Sequence, residues 1–143
     1  MSTAVSTGEA AKAPGKGLHI GLWVVQVLLA LAFGMAGTIK TFTPIDELVK
    51  SMPWFTSVPF LPRFIGPAEL AGALGMILPA ATRIRPGLTP LAGAGFSIIM
   101  VLAAGMHLVR GELQMVPINA LLGGLAVFVA WGRLRKVPIE PRP

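Results

Sequence analysis

The stretch LHIGLWVVQVLLALAFGMAGTIK, residues 18–40, decides the fold. From Leu18 to Ile39 it carries no Asp, Glu, Lys or Arg, and its first full charge is Lys40. A helix rises 1.5 Å per residue, so about 20 apolar residues cross the roughly 30 Å of hydrocarbon in a bilayer. A helix on the surface of a soluble domain would need one polar face, and this stretch has none. The segment therefore reads as a membrane-crossing helix.

Three further blocks repeat the pattern: Phe64–Ala81, Gly87–Val109 and Met115–Trp131. The second and fourth spans are short, each with a proline near its start, Pro67 and Pro117, where a missing N–H does least harm. Composition agrees: 54% of the 143 residues are hydrophobic and 13% charged, with mean hydropathy +0.74, far from the soluble average. The expected fold is all-α, a four-helix transmembrane bundle. One domain covers 18–132, between a disordered N-terminal tail, 1–17, and a basic C-terminal tail, 133–143. A cleaved signal peptide competes for the first block, but that block is longer than a signal core and lacks a clear small-x-small exit.

The chain has no cysteine, which excludes thiol redox chemistry and thiolate clusters. The pI of about 10.9 does not imply nucleic acid, because the bases flank apolar spans instead of forming a soluble basic face. Membrane lipid with anionic headgroups is the simpler partner.

Four spans put the tail, the short link Thr82–Pro86 and the C-terminus on one side. That side carries eight bases against two acids, and the other side four against four. The whole net charge of +6 thus falls on one side, and the positive-inside rule assigns that side to the cytoplasm of a multi-pass protein in the cell membrane.

The longest link, Thr41–Pro62, lies on the opposite, extracytoplasmic side. Thr43 as cap, Pro44 at the first helical position, and Ile45, Leu48, Val49 and Met52 at helical spacing predict a short amphipathic helix. Beyond it, Pro53, Pro59 and Pro62 stop regular structure, while Trp54, Phe55 and Phe60 suit the lipid–water boundary. This link reads as a lid or an interface anchor.

Ionisable groups inside a membrane cost about 2.5–3.5 kcal/mol each on insertion scales, so each needs a partner or a purpose. Up-down threading brings Lys40, Glu69, His107 and Asn119 to within a turn or two of one depth, near the extracytoplasmic end. Small residues run in line with them: Gln26, Ala30, Gly34 and Gly37 before Lys40; Gly66, Gly72 and Ala73 around Glu69; Gly123, Ala126 and Ala130 after Asn119. These stripes form the bundle interior. Glu69 and His107 together can move a proton, and are the catalytic candidates. Lys40, Asn119, Arg110 and Gln26 are the ligand-binding candidates. The plainer reading pairs Glu69 with Lys40, Arg63 or Arg110 and leaves the cluster structural. The other histidine, His19, lies at the cytoplasmic end, so no bis-His haem or His-rich metal site is expected. Met35, Met76, Met100 and Phe96 are available to line an apolar interior, suited to a lipophilic molecule with a polar head, such as a quinone.

The glycine-rich first helix ending in Lys40, the segment RFIGPAELAGALGMILP from Arg63 to Pro79, His107 with Arg110-Gly-Glu112, and Pro117-Ile-Asn119 together resemble the DoxX-like family over about Leu18–Arg133. The glutamate-and-glycine second helix is the most specific part. The resemblance implies a four-helix membrane bundle. It also implies a choice of roles: relatives are named for a subunit of a thiosulfate:quinone oxidoreductase, others are linked to oxidative or quinone stress, and distant eukaryotic ones act as chaperones or cargo receptors. The expected function is a membrane subunit handling a quinone-like or other lipophilic molecule, with no covalent cofactor and no redox centre of its own. The alternative is a chaperone, assembly or scaffold protein that binds a partner protein or further copies of itself.

Overall fold

The computed structural model describes residues 15–143. The tail expected over 1–17 lies mostly outside the described residues; Lys16 and Gly17 already belong to the first helix. Five α-helices follow: α1 (Lys16–Phe42), α2 (Ile45–Ser51), α3 (Pro62–Thr82), α4 (Leu88–Val109) and α5 (Val116–Trp131). The apolar stretch of α5 extends through short flanking turns over Leu113–Lys136, and with α1, α3 and α4 it makes four candidate membrane spans. The chain is a multi-pass membrane protein built as a four-helix bundle.

Each span buries one stripe at helical spacing. In α1 the stripe is Leu22, Gln26, Leu29, Phe33 and Gly37; in α4 it is Thr89, Gly93, Phe96 and Met100. The outward faces are equally apolar, with Leu31, Val101 and Leu121 all exposed, as lipid contact requires. Met35, expected inside, is 67% exposed and faces outward. Met76, Phe96 and Met100 are buried as anticipated.

The helices neighbour one another in the order α1, α3, α4, α5. Lipid gives no hydrophobic drive for helix pairing, so close backbone approach between small residues has to supply it. Between α1 and α3 the approach is at Gly37 and Gly66: a Cβ on Gly37 would lie 2.8 Å from the Gly66 carbonyl oxygen. Between α4 and α5 it is at Gly93, where a Cβ would lie 2.8 Å from the Ala126 carbonyl oxygen.

Proline leaves its own mark. Helix α3 begins at Pro62, so Pro67 falls in the second turn, and Pro79 lies in the last. Pro79 has no N–H for the Gly75 carbonyl one turn back. Thr89 of α4 fills the vacancy, its Oγ1 donating to Gly75 O at 3.1 Å.

The corner after α1 is held by a side chain from α3. Arg63 donates to the carbonyls of Lys40 and Thr41 at 2.7 and 2.5 Å and to that of Thr43 at 2.5 Å. These are the orphan acceptors at a helix C-terminus, where a cation is also favoured by the helix dipole. Arg63 is thereby occupied and does not pair with Glu69. The short helix α2 follows as expected, except that Pro44 itself stands at the cap position and Thr43 makes no side-chain cap.

Candidate functional site

Glu69 lies on the buried stripe of α3, and its side chain is 2% exposed. Lys40, in the last turn of α1, reaches across to it, with Nζ 2.7 and 2.8 Å from the two carboxylate oxygens. Of the three bases within sequence reach of Glu69, the structure selects Lys40. The pair is formally neutral, which lowers the cost of holding either charge at membrane depth.

His107, near the end of α4, does not pair with Glu69. Its Nδ1 is 2.6 Å from Glu112 Oε2, and because a carboxylate only accepts, the imidazole donates there. Arg110 approaches the other oxygen, with Nε at 3.0 Å and Nη2 at 2.9 Å from Glu112 Oε1. The Glu112 carboxyl is held below the usual carboxylate range, first by the Arg110 hydrogen bond and then by that of His107. Glu112 is not among the expected site residues; in the sequence it stands only in the Arg110-Gly-Glu112 stretch of the family resemblance.

Asn119 completes the set from α5. It is 8% exposed, and its amide nitrogen is buried with no hydrogen-bond partner among the described residues. An unspent amide inside a bundle costs about 1–3 kcal/mol unless something is placed against it.

These side chains share one cavity of about 830 Å³, lined by Lys40, Glu69, His107, Arg110, Glu112 and Asn119 together with Ile65, Ile99, Met100, Met106 and Met115. The convergence expected of Lys40, Glu69, His107 and Asn119 is thus present as a shared lining. The link after α2 roofs it with Met52, Pro53 and Trp54. The Trp54 and Phe55 rings touch at a tilt of 39°, with centroids 3.5 Å apart, and the Arg110 guanidinium lies 6.0 Å from the Trp54 ring centre. Phe55 is fully buried, so it anchors the roof from beneath and does not sit at the lipid boundary. The lining is apolar over most of its area, with Ser51 and Gln114 joining the charged and amide side chains among its polar members, a mixture found at small-molecule sites. Among the described residues no three His, Asp or Glu side chains are grouped to hold a metal.

Gln26 is placed elsewhere. It lies fourteen residues before Lys40 on α1, about 21 Å along the axis. There its Nε2 donates to Met76 O at 2.7 Å and its Oε1 accepts from Arg133 Nε at 2.7 Å. It belongs to a second polar cluster, one that sequence reasoning missed. Arg133 is 3% exposed, contacts His19 Nδ1 at 3.2 Å and lies 5.5 Å from the Trp23 ring centre. Buried charge is therefore present at both ends of the bundle, and not only at the end expected.

The model of the DoxX-like family matches residues 24–129, well over half of the chain and all of the cavity lining. No curated protein and no solved structure matches.

Proposed function

The chain belongs to the DoxX-like family, and on that premise we propose that it binds a quinone-like or similar lipophilic molecule with a polar head in the cavity between Lys40, Glu69, His107 and Asn119. One observation carries the reading: Asn119 lines an apolar cavity with its amide nitrogen buried and unpartnered. A carbonyl or hydroxyl on the ligand head would satisfy it, and the Met and Ile side chains would take the apolar body.

In this reading Asn119 orients the head. Glu69, with Lys40 as its counter-ion, is the proton carrier beside it, and His107, backed by Glu112, is a second titratable group at the same cavity. In this reading electron transfer belongs to a partner or to the ligand, and the chain's own part is binding and proton transfer. The proposal also includes the orientation: termini in the cytoplasm, the cavity toward the opposite face of the cell membrane, as the charge bias indicates.

Recognition of other membrane proteins through Trp54 and Phe55 is less well supported. Phe55 is fully buried and Trp54 is engaged in the cavity wall. The test is to purify the protein in mild detergent and extract it for mass spectrometry. A quinone or comparable lipid retained in molar proportion, and in clearly smaller amount by Asn119→Leu, supports the proposal. Equal, substoichiometric lipid in both would overturn it.

A further inference from the structure

Helices α3 and α4 touch closely near their short link and part toward the other end. At the close end the Phe96 ring lies against Gly72, which has no room for a Cβ, and a Cβ on Gly75 would lie 3.3 Å from that of Ala92. Phe96 is backed from α1 by Phe33, with rings stacked at 3.8 Å. One turn farther out the cavity begins, with Glu69 and Ile65 on α3, and Leu61 just before it, facing Ile99, Leu102, Ala103 and Met106 on α4.

One lining residue shows where this gap leads. Leu102 lines the cavity and is 67% exposed on the outer face of the bundle, a surface that acyl chains cover in a membrane. The end toward water is different, being roofed by Met52, Pro53 and Trp54, with Arg110 and Glu112 alongside. The residues that line the gap itself, Leu61 and Ile65 on one side and Ile99, Leu102 and Met106 on the other, are all apolar.

We infer that the α3–α4 gap is a lateral portal and that the ligand is a membrane lipid with a long apolar tail, its head at Asn119 and its tail lying between Ile65 and Leu102 in the bilayer. The inference rests on the proposed ligand site and adds the chain-bearing class of ligand and its route. A head without a tail fits the cavity but gains nothing from the portal; a tail such as a polyprenyl chain gains apolar contact along both helices.

The chain has no cysteine, so Ile65→Cys with Leu102→Cys introduces the only thiols. Joining them with a reducible bis-maleimide closes the gap, and reduction reopens it. Equilibrium binding is measured at equal mole fraction in nanodiscs for a long-chain prenylquinone and for the tail-less benzoquinone head. With the gap closed, affinity for the long-chain quinone should fall at least tenfold, recover on reduction, and stay unchanged for the head alone. Ala103→Phe, a single side-chain obstruction, should weaken long-chain binding in the same selective way. Unchanged long-chain affinity in both the closed pair and Ala103→Phe overturns the portal while leaving the ligand site standing. Absence of binding of either quinone to the open protein overturns the ligand site, and the portal with it.

Discussion

Lys40 Nζ contacts both carboxylate oxygens of Glu69, at 2.7 and 2.8 Å, and so ties the last turn of α1 to the middle of the buried stripe of α3. The contact lies beside Gly37 and Gly66, where the same two helices approach too closely to admit a Cβ. Charge pairing and backbone approach thus act at one place, and the cavity wall is fixed there.

Removing one partner should leave the other charge buried and unpaired. Glu69→Gln and Lys40→Met are each expected to destabilise the protein by about 3–5 kcal/mol. The double variant Lys40→Met/Glu69→Leu should recover most of that loss, because a buried pair replaced by apolar groups of similar size is often neutral. Unfolding of all four proteins in the same detergent checks this; a double variant as unstable as the sum of the singles would refute it.

Gly66 has no space for a side chain, since a Cβ would lie 2.8 Å from Thr41 N and 3.0 Å from the Gly37 carbonyl oxygen. Gly66→Ala should force α1 and α3 apart and cost about 1–3 kcal/mol. Gly95→Ala, where a Cβ meets nothing within 4 Å, is the matched control and should leave the midpoint of thermal unfolding unchanged or slightly raised.

Glu112 predicts a pH dependence of known sign. Its carboxyl is held below its ordinary range by Arg110 first and His107 second. A depressed carboxylate contributes stability that is present above its unfolded pKa of about 4.3 and is lost as pH falls through the lower folded value. The difference in thermal midpoint between wild type and Glu112→Gln should therefore be present at about pH 5 and shrink below about pH 4. A difference that vanished between pH 8 and 6 would assign the stabilisation to another group.

Orientation is open to a direct test. A reporter active only outside the cytoplasm should be inactive when fused after Pro143 and active when inserted after Ser57. The reverse pattern would invert the proposed topology.

The spans were legible in the sequence because lipid demands long uncharged helices, and α4 ends at Val109 as expected. The depth of Lys40, Glu69, His107 and Asn119 followed from the same threading. What threading does not fix is which partner each side chain takes. Arg63, Lys40 and Arg110 were equivalent bases on paper; the corner after α1 claims Arg63, Glu112 claims Arg110, and Glu69 is left to Lys40. The cluster at the other end had a readable signal. The stripe Asn119, Gly123, Ala126, Ala130 continues at the same spacing to Arg133, and Gln26 continues backward through Trp23 to His19. Arg133 was instead grouped with the basic tail, where a charge is normally solvated. Phe55 differs from expectation for a similar reason, since an aromatic residue beside prolines suits a membrane boundary as well as a buried anchor.

The central claim is that Asn119 faces a bound ligand head. Binding of a long-chain quinone to wild type and to Asn119→Leu, compared in nanodiscs of one composition, tests it most directly. Wild type should bind saturably at one site per chain, and the variant should bind about five- to tenfold more weakly with its thermal stability intact, as expected for loss of one buried hydrogen bond. Equal affinity in the two proteins, or uptake that never saturates in either, would contradict the account.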